Sequence, residues 1–175
     1  MTSLEQLLAN PDNAAVWTLV PNRSEVRFTC RSFWGLLPVK GRFTEFSGEG
    51  QLSGGTAFGR IDIVAASLDT GNRKRDEHLR SEDFFAVDRF PTLSVVVTAV
   101  QQTGGHADLR SSLTVRGVTQ PLTLPAQVSQ LNDGAVQISA TTTIDRTRWD
   151  VDGNLLGMVR TDTTLVASAV FTKSG

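Results

Sequence analysis

Alternation with a period of two, repeated along most of the chain, most constrains what this sequence can fold into. Val26, Phe28 and Cys30 alternate with Glu25, Arg27, Thr29 and Arg31. An extended segment of this kind turns one face to a dry interior and the other to water. The pattern recurs in Ile61 and Ile63 to Ala65, in Leu93, Val95 and Val97 to Ala99, and in Leu109 through Leu113 to Val115. It returns in Leu122, Leu124, Ala126 and Val128, in Val136, Ile138, Ala140, Thr142 and Ile144, and in Leu165, Ala167, Ala169 and Phe171. Between these runs the phase slips once. Val39, Gly41 and Phe43 share one phase and Phe46, Gly48, Gly50 and Leu52 the other, which calls for a β-bulge near Thr44-Glu45. Turn signals at Ser53-Gly54-Gly55, Gly104-Gly105, Arg116-Gly117 and Asn132-Asp133-Gly134 join neighbours as antiparallel hairpins. About eight strands without an internal repeat predict an all-β, up-and-down, eight-stranded antiparallel barrel.

One segment interrupts this order. Asp69-Thr70-Gly71-Asn72 has turn chemistry, with Gly71 suited to positive φ and Asn72 to capping a helix. The nine residues Arg73 to Ser81 carry seven ionisable side chains. A helix so short and charged is not stable alone; Leu79, Phe84 and Phe85 must pin it to something larger, and Pro91 ends it. The expectation is a short helical insert over about 72–85, set as a lid or plug at the barrel mouth. Leu4, Leu7 and Leu8, with Ser3 as N-cap and Asn10-Pro11 as the stop, predict a second short amphipathic helix. Residues 1–15 therefore read as an N-terminal helix or tail, and residues 16–175 as a single barrel domain.

Composition removes several function classes. A net charge of -1 and a pI of about 6.1, with no basic stripe or exposed aromatic pair, argue against nucleic acid as a partner. No apolar run is long enough for stable membrane insertion. The single cysteine, Cys30, excludes an internal disulfide framework and a cysteine-based zinc cluster. The first ten residues lack a basic region followed by a long apolar core, so a cytoplasmic protein is expected.

Eight strands enclose an interior that side chains fill or that holds one small ligand. Small residues at inward phases (Gly41, Gly48, Ala65, Ala99, Ala140, Ala167 and Ala169) fit either a cavity or relief of crowding. Cys30, on the inward phase, reads as a small hydrophobe with its thiolate disfavoured. His78 lies among Asp76, Glu77 and Asp83, yet matches no zinc spacing; its expected role is structural, tying the helix to a strand. Arg75, Asp76 and Arg80 are expected to form a salt-bridge network that fixes the insert.

Four blocks carry a family likeness: Val39-Lys40-Gly41-Arg42-Phe43 with Phe46-Ser47-Gly48, the insert from Asp69 to Pro91, Leu113 to Pro121, and Ile144-Asp145-Arg146. In this order they resemble the YceI-like family of polyisoprenoid-binding, lipocalin-like barrels across residues 16–172. Arg23 stands where histidine is common in that family, and Trp149 stands for the Phe of a usual Phe-Gly pair. The resemblance implies a lipocalin-like barrel for non-catalytic binding, transport or storage of a long apolar lipid. Candidate lipids are an isoprenoid or polyprenyl chain, an isoprenoid quinone or a fatty acid derivative. It also implies a homodimer. The tunnel lining is expected from Phe28, Phe43, Phe46, Leu68, Leu79, Phe84, Phe85, Val95, Val97, Leu113, Val115, Ile144 and Trp149. No catalytic residue, metal ligand or cofactor is expected. Two alternatives stay open: an enzyme acting on such a lipid through His78 and its neighbouring carboxylates, and a protein-interaction module with a filled barrel.

Overall fold

Each alternating segment has one face to bury, and the segments satisfy this together by closing into a ring. The computed structural model describes residues 4–32, 37–153 and 160–174. Its strands are β1 (Ala15–Leu19), β2 (Glu25–Ser32), β3 (Leu37–Phe43), β4 (Phe46–Ser53), β5 (Thr56–Val64), β6 (Leu68–Asp69), β7 (Thr92–Thr103), β8 (His106–Val115), β9 (Val118–Gln130), β10 (Val136–Asp145) and β11 (Asp162–Lys173). Every pairing is antiparallel. β1, β4, β5, β7, β8, β9, β10 and β11 follow one another around the ring, and β11 pairs back to β1. This is the eight-stranded antiparallel barrel that the alternation predicts. β2 continues β1 beyond a 3-10 turn at Pro21–Arg23 and pairs with the first part of β11, while β3 pairs with β2.

The phase slip at Thr44 and Glu45 is a break between two strands rather than a bulge within one. β3 pairs with β2 and β6, whereas β4 pairs with β1 and β5. Ser67 holds the break: the Thr44 and Glu45 amides each donate to its Oγ at 3.1 Å. The observed bulge lies elsewhere, in β7, where the register shifts between Val97 and Ala99. One extra residue flips the alternation, so Ala99 turns to solvent and Val100 reaches the interior. Ala99 therefore leaves the expected inward set.

The insert is α2 (Arg73–Arg80), capped by Asn72, whose Oδ1 accepts from the Arg75 amide at 3.0 Å. The helix stops at Arg80 because Ser81 turns extended, and residues 81–89 form a run of turns in place of the helix expected to Phe85. Those turns satisfy the last helical carbonyls: Phe85 N donates to Leu79 O and Val87 N to Arg80 O, both at 3.0 Å. The expected salt-bridge network is a network to the neighbouring backbone and to Thr70. Asp76 accepts from the Thr70 amide and hydroxyl, Arg75 donates to the Thr70 hydroxyl and carbonyl, and Arg80 donates to Ala66 O and Leu68 O. The reason is reach. Arg75 and Arg80 point down onto the connection between β5 and α2, where carbonyls need donors.

The N-terminal helix is α1 (Leu4–Ala9); Ser3, its expected cap, lies outside the described residues. Leu4 and Leu7 are buried against the chain's own barrel, and Leu7 packs with Trp17, Leu19, Val136, Ala169 and Phe171. Asn13 Nδ2 donates to Leu7 O and Trp17 Nε1 donates to Asn13 O, both at 3.1 Å. Leu4 and Leu7 are thus covered within one chain, while Leu8 is half-buried. A second apolar cluster gathers Phe28, Phe43, Leu68, Leu79, Phe84, Leu113 and Trp149 at the insert end. Among the described residues no helix is long and apolar enough to cross a membrane.

Candidate functional site

The barrel interior is not filled. It encloses a cavity of about 680 Å³ whose exposed wall is almost entirely apolar. β10 shows its extent: Val136 lines it near α1, and Ala140 and Ile144 line it toward the insert. Phe28, Phe43, Leu79, Phe84, Phe85, Val95, Val97, Leu113, Val115, Ile144 and Trp149 lie on the lining. Phe46 and Leu68 do not. Leu68 is 1% exposed and is packed into the wall beneath the insert, and Phe46 sits just past the strand break, wedged between the two apolar clusters.

At the insert end three rings form a cluster. Phe28 and Phe43 have centroids 5.4 Å apart, and Phe85 stands edge-on to them at 6.4 and 6.1 Å. Gly41 makes room for this arrangement, since a Cβ there would lie 2.2 Å from the Phe28 ring. Phe84 packs edge-on to His78 at 5.1 Å, with the Arg146 guanidinium 5.6 Å above its face. Trp149, 1% exposed, donates its indole N–H to Leu113 O at 2.8 Å, which fixes a large ring on the cavity wall. Arg116 clamps the turns after α2, donating from Nη1 to Glu82 O and Phe84 O at 2.6 and 2.7 Å. It comes from a two-residue hairpin turn between β8 and β9, where Arg116 and Gly117 both take positive φ.

Charged and polar residues on the lining at this end are Asn72, Lys74, Arg75 and His78 from the insert, Cys30 from β2 and Arg146 after β10; Arg27, Glu49, Gln51 and Arg60 border it from β2, β4 and β5. Arg146 is buried and donates from Nε to Arg160 O and from Nη1 to Val151 O, tying the β10–β11 connection to itself. Burial lowers its pKa, with Cys30, Asp152 and Asp145 opposing that. Neither Arg116 nor Arg146 was singled out from the sequence. Arg146 sits in a recognised block, but the clamp made by Arg116 spans more than thirty residues and left no local signal.

His78 bonds to Asp83 rather than to a strand, Nε2 to Oδ2 at 2.9 Å, and both side chains are largely exposed. The turns that follow α2 bring Asp83 back beside the helix, which is why the partner is local. Among the described residues no group of three or more His, Cys, Asp or Glu side chains converges as a metal site.

Burial pushes the Cys30 thiol above its ordinary pKa of 9.0, more than the nearby Arg146 and Arg75 cations pull it down. Folded protein should therefore react with iodoacetamide at pH 7 far more slowly than denatured chain, read by intact mass. The raised folded pKa also carries a sign. Its contribution to stability is complete below the ordinary thiol value and declines as pH rises through it toward the folded value. Denaturant midpoints above pH 9.0 should fall more steeply for the parent than for Cys30→Ala.

Residues 17–171 match the YceI-like domain. The chain belongs to the YceI-like family. A UPF0312 protein of Pseudomonas paraeruginosa is 37% identical over 97 residues, covering 53% of this chain and 51% of that protein. Protein YceI of Salmonella arizonae is 38% identical over 73 residues, covering 42% and 38% respectively. The chain thus spans about half the length or less of these curated YceI-like relatives. Two solved structures share the fold. Burkholderia cenocepacia BcnA aligns with a TM-score of 0.80 at 19% identity, over 88% of this chain and 99% of that one. A polyisoprenoid binding domain from Saccharophagus degradans aligns with a TM-score of 0.78 at 16% identity, over 91% and 99%.

Proposed function

We propose that this YceI-like barrel binds one long apolar lipid in its interior without transforming it, as a carrier or store. The cavity is the observation that carries this reading: about 680 Å³ of empty, apolar-walled space has no use in a packed structural barrel and falls within the range of small-molecule sites. The solved Saccharophagus degradans domain is described as polyisoprenoid binding, which favours an isoprenoid chain or isoprenoid quinone over a fatty acid derivative. The energetics are sufficient without catalytic chemistry. At about 0.8 kcal/mol per buried methylene, a chain of roughly 20 carbons gains about 16 kcal/mol gross. Association and ordering remove about 4–15 kcal/mol of that.

His78 and Asp83 would matter first if the protein were an enzyme, because they pair at the rim. Their exposure, and the lack among the described residues of a third group hydrogen-bonded to either side chain, favour a structural role within the insert. The proposal keeps a homodimer, through a surface other than the buried faces of Leu4 and Leu7; sedimentation velocity at high micromolar concentration tests that part, and a single monomer species overturns it. The test of function is mass spectrometry of an organic extract of freshly purified protein. One long-chain species in near-stoichiometric amount is expected. An empty extract, together with no uptake of added lipid, rejects the reading.

A further inference from the structure

We infer that Trp17, backed by α1, is a chain-length stop that limits the bound molecule to a single chain of about 20 carbons, the number of groups that fill about 680 Å³ if each takes the roughly 30 Å³ of a liquid water. The inference rests on the reading of the cavity as a lipid site. From Val136 to Ile144 the lining covers eight residue steps of β10, about 26 Å of tilted wall. The polar insert residues stand at one end of that wall and Trp17, Val136, Ala169 and Phe171 at the other.

Register places the stop. Trp17 pairs with Gly50, Gly50 with Gly59, and Gly59 with Val97, so these four positions share one inward row across β1, β4, β5 and β7. Of the four, only Trp17 and Val97 project a side chain, and the indole is 3% exposed. Behind it Leu7, 1% exposed, closes the barrel end, and the Leu7–Asn13–Trp17 hydrogen bonds hold the indole in that position. Lys173 adds a cation 5.7 Å from the indole centre and donates to Asp12 O. A chain passing Val97 from the insert end meets the indole and cannot go further.

The match to the YceI-like domain begins at residue 17. The residues that back Trp17, α1 and Asn13, lie outside that matched span. Beside the indole, Gly50 leaves open space: a Cβ built on it meets nothing closer than Phe58 O at 3.7 Å. Gly59 is different, since a Cβ there would lie 2.8 Å from Glu49 O. Gly50 is thus the position at which the free length can be shortened without disturbing the sheet.

The experiment uses the full chain, stripped of endogenous lipid, and an equimolar mixture of farnesol, geranylgeraniol and solanesol, with retention read by native mass spectrometry. The parent should retain geranylgeraniol in preference to both the shorter and the much longer alcohol. Gly50→Val fills the space of a few chain carbons and should raise the farnesol-to-geranylgeraniol ratio about tenfold or more. Trp17→Ala removes the stop and should raise retention of solanesol; should that variant fail to fold, Gly50→Val still decides. A folded Gly50→Val protein with the parental profile overturns the stop while leaving lipid binding intact. A parent that retains none of the three alcohols and yields an empty extract overturns the lipid reading, and the stop with it.

Discussion

Val97→Arg should leave a folded barrel that retains no lipid. Val97 lines the cavity on β7 and pairs with Gly59, so a longer side chain there extends into open space rather than into a packed wall. The cavity has room for a guanidinium group, and its exposed wall is almost entirely apolar. An apolar chain could then bind only by stripping water from that cation. Such desolvation costs several kcal/mol, and about 3 kcal/mol already corresponds to more than a 100-fold loss of affinity. Circular dichroism establishes that the variant is folded, and mass spectrometry of its organic extract reads the loss. A folded Val97→Arg protein that still co-purifies with stoichiometric lipid would show that the chain does not run past β7.

Phe84→Ala should be the most destabilising truncation in the insert, and it should also speed lipid release. The ring is buried, touches His78 edge-on, lies under the Arg146 guanidinium and helps line the cavity. Truncating a buried phenylalanine costs about 3–5 kcal/mol; the adjoining cavity already removes part of its packing, so about 3 kcal/mol is expected by denaturant unfolding. α2 gains little from its own exposed ion pair, Arg73 with Glu77. Its hold on the barrel rests instead on Leu79, Phe84 and the hydrogen bonds of Arg80 and Arg116. Loosening it should raise the lipid off-rate with a much smaller change in on-rate. Release at the parental rate from a protein destabilised as expected would mean that the insert braces the barrel without gating it.

How far the sequence could be read is plain at particular residues. Val26, Phe28 and Cys30 announced a strand because alternation is a local property, and each of the eight barrel strands carries it. Asn72 announced a helix start for the same reason, since a cap acts on an amide three residues away. The end of that helix carries no such local signal. Leu79, Phe84 and Phe85 are apolar in any conformation, and the turns that replace further helix are held by contacts made only in the fold, among them Phe84 against His78 and Arg146. Ala99 was placed inward because alternation has no means of signalling a one-residue bulge between Val97 and Ala99. Arg75, Asp76 and Arg80 suggest pairing with one another. In the fold they reach Thr70, Ala66 and Leu68, groups whose need for partners arises only once the chain has turned back on itself.

By itself the sequence determined the all-β barrel, its antiparallel order and the place of the charged insert, because each follows from short-range periodicity, turn chemistry and the family likeness. The tertiary structure alone decided whether the interior is full. Small side chains at inward positions reduce volume locally, but emptiness is a sum over all eight strands and depends on barrel radius, strand tilt and the direction of each ring. It also decided where the space ends. Leu4 and Leu7 form an apolar stripe that any covering surface would satisfy, and only the folded chain shows that Leu7 covers the far end of its own barrel, against Trp17.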